Sequence, residues 1–75
     1  MYALAPDPYV RRILGGRLKQ LRKRRGLTQG QLAEQLGLDP SWVSKVEAGR
    51  IGPSPGQLRG LCQLLACDPS LLLSL

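Results

Sequence analysis

Apolar residues along the chain recur at helical spacing. Leu14, Leu18 and Leu21 stand at i, i+4 and i+7, which on a helix forms one stripe and leaves the charged positions on the other faces. The pattern predicts helix 1 from Arg11 to about Arg25, ended by Gly26, with Arg24 and Arg25 at the negative end of its dipole. Thr28 then opens helix 2 with Gln31 three residues on, a capping box, and Leu27 is set to staple onto Leu32. This helix stops at Leu36, before Gly37. Asp39 as N-cap and Pro40 at the first helical position start helix 3, which runs to about Ala48 and is closed by Gly49. Leu38 and Val43 form a second staple, and Val43 and Val46 point inward. Ser54, Pro55 and Gln57 repeat the same signals for helix 4, with Leu58, Leu61, Cys62 and Leu65 along one face. Asp68 and Pro69 start a fifth helix carrying Leu71, Leu72, Leu73 and Leu75.

No segment alternates at the strand period, and there is no internal repeat or low-complexity tract. The expected fold is all-α, a compact five-helix domain over residues 11–75. Residues 1–10, with Pro6 and Pro8 beside Tyr2 and Tyr9, lack a helical period and read as a flexible N-terminal leader. Helices 2 and 3 are joined only by Gly37, Leu38 and Asp39. So short a joint forces the two helices to cross steeply, as in a helix-turn-helix. Ala33 is small where the two must approach, and Leu32, Leu36, Val43 and Val46 fill the wedge between them.

Charge narrows the partners without choosing one. Eleven Lys and Arg against five Asp and Glu give a net charge of +6. Eight of the bases, Arg11, Arg12, Arg17, Lys19, Arg22, Lys23, Arg24 and Arg25, cluster on helix 1. The imbalance favours a polyanion, nucleic acid or an anionic membrane surface, although a solvated helix face gives the same pattern. Cys62 and Cys67 fall on one helix in this reading, roughly 8–9 Å apart, too far for a disulfide. With no histidine and no CxxC spacing, zinc ligation is not expected, and the pair reads as small buried hydrophobes in a reducing compartment. No metal, cofactor or small-molecule substrate is expected. An enzyme lacks its material, since there is no histidine, no paired carboxylate and no glycine-rich phosphate loop. No apolar run is long enough to span a membrane, so the chain is expected in the cytoplasm.

The run LTQGQLAEQLGLDPSWVSKVEAGRIGPSPGQLRGLCQLLACDPSLLL, preceded by LGGRLKQLRKRRG, resembles the lambda repressor and Cro-like (XRE-type) helix-turn-helix family over about residues 13 to 75. Gln29, Leu32-Ala33, Gly37, Val43-Ser44, Glu47 and Gly49-Arg50 match the family pattern as they stand. The resemblance implies a bacterial or phage-encoded DNA-binding transcription regulator, a repressor or controller. It also implies that Arg22 and Glu47 form an ion pair between helices 1 and 3.

Within that frame helix 3 fits the major groove, and its outward residues Ser41, Trp42, Ser44, Lys45 and Ala48 face the bases. Lys45 is the first candidate for specificity, as a donor to guanine O6 and N7. Trp42 either packs on sugar or a thymine methyl or tucks against helix 2 as core. Pro40 departs from the polar residue common at its position and offers at most an apolar contact. Phosphate contacts are expected from the start of helix 2 at Thr28 and Gln29, and from Arg50 past helix 3. The remaining helix 1 bases would act by long-range steering.

A chain this short buries only about 60% of the surface its unfolded form exposes, so it gains from a partner subunit. A homodimer on a palindromic operator is expected, with Leu71, Leu72, Leu73 and Leu75 as its interface. The leader would then be either a plain tail or an arm reaching DNA or the second subunit. A protein-interaction module on the same fold, an antitoxin or an adaptor contacting RNA polymerase, is the alternative function.

Overall fold

A computed structural model describes residues 7–68 and Ser70. Four helices and no strand occur among the described residues: α1 (Pro8–Arg24), α2 (Gln29–Leu36), α3 (Pro40–Glu47) and α4 (Pro55–Leu65). Each begins on a side chain that accepts a backbone N–H left over by the first turn. Asp7 takes the Tyr9 N–H at 2.8 Å and Asp39 takes that of Ser41 at 2.9 Å. Thr28 and Ser54 form reciprocal capping boxes with Gln31 and Gln57, so two orphan donors are satisfied at each of those ends. Proline stands at the first helical position of α1, α3 and α4, where its missing N–H costs nothing.

The four C-terminal ends also share one closure, in which the N–H two or three residues past the last helical residue returns to a carbonyl five residues earlier. Leu27 bonds the Arg22 carbonyl, Leu38 that of Ala33, Arg50 that of Lys45 and Cys67 that of Cys62, at 2.9–3.2 Å. A left-handed residue precedes each of these donors. Three are glycines, Gly26, Gly37 and Gly49, and the fourth is Ala66 at φ 51°.

Leu14 and Leu18 of α1, Leu32 and Ala33 of α2, Val43 and Val46 of α3, and Leu58, Leu61, Cys62 and Leu65 of α4 make a single buried core. Leu21, Leu36 and Trp42 pack against it half-buried. Helix α1 lies against the end of α3 at backbone distance. A methyl group built on Gly15 would overlap the Val46 carbonyl oxygen and stand 2.8 Å from that of Glu47. Only glycine lets the two backbones meet this closely.

Several boundaries differ from the sequence expectation. Helix α1 starts at Pro8, not Arg11, because Asp7-Pro8 carries the same cap-and-proline signal as Asp39-Pro40. Residues 8–10 of the expected leader are therefore helical, and residues 1–6 of it lie outside the described ones. Helix α3 ends one residue early, at Glu47. Helix α4 ends at Leu65, so Cys67 is not on the same helix as Cys62; no glycine marked the end. Four helices are described, not five. The fifth was assigned to residues that, Ser70 apart, lie outside the described ones, as do Leu71, Leu72, Leu73 and Leu75. At its start, the Asp68 carboxylate accepts the Ser70 N–H at 2.9 Å.

The adjacent glycines of α1 should respond oppositely to alanine. Gly16 has no atom within 4 Å of a built Cβ, so Gly16→Ala should stabilise by roughly 0.5–1 kcal/mol. Gly15→Ala should destabilise by about 1–3 kcal/mol, because backbone rather than a pliable side chain must give way. Urea denaturation with matched slopes measures both, and equal signs would refute the close approach.

Candidate nucleic-acid interface

The residues expected to read DNA sit on a unit built from α2, the Gly37-Leu38-Asp39 joint and α3. Gly37 adopts φ 69°, and the Leu38 N–H closes on Ala33 at 2.9 Å, so the chain turns within three residues and α3 leaves α2 at once. Buried Leu32 and Ala33 meet buried Val43 and Val46 across the angle. With the two valines turned inward, helical geometry turns Ser41, Ser44, Lys45 and Ala48 outward, and all four are exposed. Pro40 is also exposed. Trp42 is half-buried, so part of its ring packs on the core and part stays exposed beside this face.

Asp39 anchors the first turn of α3. Its carboxyl is held below the ordinary carboxylate range, first by the Ser41 backbone N–H, then by the Ser41 side chain, with the Lys45 charge adding a smaller effect. At the other end of α3, the Arg50 N–H bonds the Lys45 carbonyl at 2.9 Å, which fixes where the exposed Arg50 side chain departs.

Behind this face, Arg22 of α1 and Glu47 of α3 form a bidentate pair. Arg22 Nε donates to Glu47 Oε2 at 2.6 Å and Nη2 donates to Oε1 at 3.0 Å. The remaining guanidinium nitrogen, Nη1, donates to the Leu27 carbonyl at 2.7 Å. Both side chains are nearly enclosed, at 8% and 3% exposure. The hydrogen bond to Glu47 raises the Arg22 pKa, against the opposing effect of burial. Gln29, the first residue of α2, donates its amide to Glu47 Oε1 at 3.0 Å. One of its two amide hydrogens is thus committed inside the protein, and only the other could meet a phosphate. Thr28 is exposed beside it.

Helix 1 contributes contacts that its charge did not reveal. Arg11 Nε donates to the Gly49 carbonyl at 3.2 Å, so this base helps to hold the end of α3. Arg25 reaches the Ala66 carbonyl at 3.4 Å. Gly15 is the other residue missed from sequence. A glycine facing inward from the Leu14–Leu18 stripe was the available signal for it. No group of three or more metal-ligating side chains occurs among the described residues, and none of the described helices is long and apolar enough to cross a membrane.

Comparison with known proteins places this geometry among regulators. The Helix-turn-helix domain family matches residues 13–75. The immunity repressor protein of Bacillus phage phi105 is 39% identical over 57 residues, which is 76% of this chain. The chain spans 40% of that relative's length. Among solved structures, the restriction-modification controller protein C.AhdI of Aeromonas hydrophila superposes with a TM-score of 0.78 at 37% identity, covering 83% of this chain and 94% of its own. The clp gene regulator ClgR of Corynebacterium glutamicum gives 0.82 at 32% identity, covering 91% and 72%.

Removing one member of the buried pair should cost more than removing both. Glu47→Ala strands the Arg22 guanidinium and should destabilise by about 3–5 kcal/mol, whereas an Arg22→Met/Glu47→Leu double variant should lose far less. A double-mutant cycle by denaturation measures the coupling; additive losses would mean the pair is not a buried unit.

Proposed function

This chain belongs to the lambda repressor-like helix-turn-helix domain family, and from that premise we propose that it is a sequence-specific regulator of transcription, a repressor or controller, that binds double-stranded DNA. The observation that carries the reading is the exposed Ser41, Ser44 and Lys45 face of α3, backed by buried Val43 and Val46 and held rigid by Arg22 and Glu47. An eight-residue helix fits lengthwise in the major groove of B-DNA with one face to the base edges.

In this arrangement Lys45 donates to guanine O6 and N7. Ser44 bonds a base edge, and Ser41 bonds a base edge or a phosphate. Trp42 lays the exposed part of its indole on sugar or a thymine methyl. Pro40 has neither donor nor acceptor on its side chain and contributes apolar contact alone. The N-terminus of α2, with Thr28 and the second amide hydrogen of Gln29, meets one phosphate, and Arg50 meets another. Arg12, Arg17, Lys19, Lys23 and Arg24 add a positive field that speeds encounter.

One such face reads only a half-site. A monomer of this kind binds at roughly 10⁻⁴ to 10⁻⁶ M with little specificity, so the regulator acts as a homodimer. Its two reading helices enter successive major-groove turns of a palindromic operator about 34 Å apart. The run Leu71, Leu72, Leu73 and Leu75 is the proposed contact between subunits.

Two substitutions separate reading from anchoring. Lys45→Ala should cost about 1–3 kcal/mol on the preferred site and relax selection at one base pair. Arg50→Ala should weaken all sequences alike and lower the salt slope by about one. Selection from a random DNA pool followed by salt-dependent titration supplies both readings. Wild-type protein that binds every sequence equally at moderate salt would overturn the proposal.

A further inference from the structure

The closure of α4 differs from the other three in the chemistry of the two residues it brings together. A turn of this kind brings the residue that gives its carbonyl and the residue that gives its N–H within one backbone hydrogen bond of each other, and their side chains frequently meet. At the first three helices these pairs are Arg22 and Leu27, Ala33 and Leu38, and Lys45 and Arg50; at the fourth they are Cys62 and Cys67. Ala66, at φ 51° and ψ 45°, turns the chain back so that the Cys67 N–H reaches the Cys62 carbonyl at 3.0 Å. The separation of about 8–9 Å expected for two cysteines on one continuous helix therefore does not apply. Both are free thiols. Cys62 is 6% exposed and Cys67 half-buried, and both line one groove with Leu58, Arg59, Ala66 and Asp68. Burial, and next the neighbouring Cys67 thiol, push the Cys62 thiol up to about 11.

We propose that Cys62 and Cys67 form an oxidisable dithiol site that reacts with low-molecular-weight disulfides to give an intrachain disulfide across the end of α4. The site is independent of the DNA-binding reading. Cys67 is the more accessible thiol and reacts first. Its thiolate attacks one sulfur of the small disulfide XS–SX, forms a mixed disulfide and releases XS⁻, which takes up a proton. Cys62 Sγ then attacks Cys67 Sγ, the bond from Cys67 to the small thiol breaks, and the departing XS⁻ accepts the Cys62 proton. Two protein thiols are oxidised by two electrons, and XS–SX is reduced to two XSH. A buried thiol with a raised pKa is a poor first nucleophile, yet it is well placed to resolve an adduct on its neighbour. The held geometry of the turn gives Cys62 a high effective concentration at Cys67.

The test exposes the full 75-residue chain to oxidised glutathione at mildly alkaline pH and follows intact mass, free thiols and a non-reducing gel. The expected product is a monomer that has lost two hydrogen atoms and both free thiols. Cys62→Ser should instead accumulate a single glutathione adduct on Cys67, and Cys67→Ser should react at least about tenfold more slowly than wild type. Folded wild type should close the bond at least about tenfold faster than the same chain in concentrated guanidinium, because only the fold holds the pair together. A stable adduct, an interchain dimer or two surviving thiols in the folded wild-type chain would overturn the proposal. Equal closure rates folded and unfolded would do so as well. Wild type and Cys67→Ser decide the matter if Cys62→Ser does not fold.

Discussion

The carboxylate of Glu47 is the point at which three helices of the domain are tied. It receives two donors from Arg22 on α1 and one from Gln29 on α2, while itself belonging to α3. The same guanidinium reaches the Leu27 carbonyl in the α1–α2 turn. Two charges so nearly enclosed are tolerated only when their hydrogen-bonding capacity is used, and no buried side-chain nitrogen or oxygen among the described residues is left without a partner. A network of this kind adds little net stability over apolar residues of the same shape. What it does is reject other arrangements, since any rotation of α3 against α1 would strand a buried charge.

That restriction bears on function because the candidate reading face lies on the far side of the same helix. Ser41, Ser44 and Lys45 are useful only if α3 keeps one orientation relative to the start of α2. The end of α3 is also seated against the backbone of α1 at Gly15 and bonded by Arg11 through the Gly49 carbonyl. The basic helix is thus partly scaffold. Arg11 and Arg25 donate to backbone carbonyls and keep their charge, whereas Arg22 is offset by Glu47, so the attraction of the domain for a polyanion rests on the bases other than Arg22.

Polar signals at the helix ends carry much of the local structure. Four N-caps and four turned-back C-termini satisfy backbone groups that a chain with 17-, 8-, 8- and 11-residue helices would otherwise leave open at every end. With helices this short, the ends are a large share of the whole, and eight-residue helices would not persist in water alone. The cysteine pair falls at one of these closures, at the only one made by a residue other than glycine.

The helices, their order and the inward set were legible in the sequence because both signals are local. The stripe of Leu14 and Leu18, the capping boxes at Thr28 and Ser54, and Gly37 before Asp39-Pro40 each act within a few residues. Asp7-Pro8 is an equally local signal, obscured in the sequence by the neighbouring Pro6. Tertiary structure alone decided the rest, since it depends on partners distant in the chain. Sequence spacing does not show that Gly15 must admit the carbonyls of Val46 and Glu47, or that Arg11 serves Gly49. It does not show that Gln29 spends a donor on Glu47. It set Cys62 and Cys67 on one continuous helix, because Ala66 takes a left-handed turn that local propensity assigns to glycine and that the fold imposes on alanine. The Arg22 and Glu47 pair lay between. Family resemblance implied it, but only the packing of α1 on α3 shows why it is buried, bidentate and shared with α2.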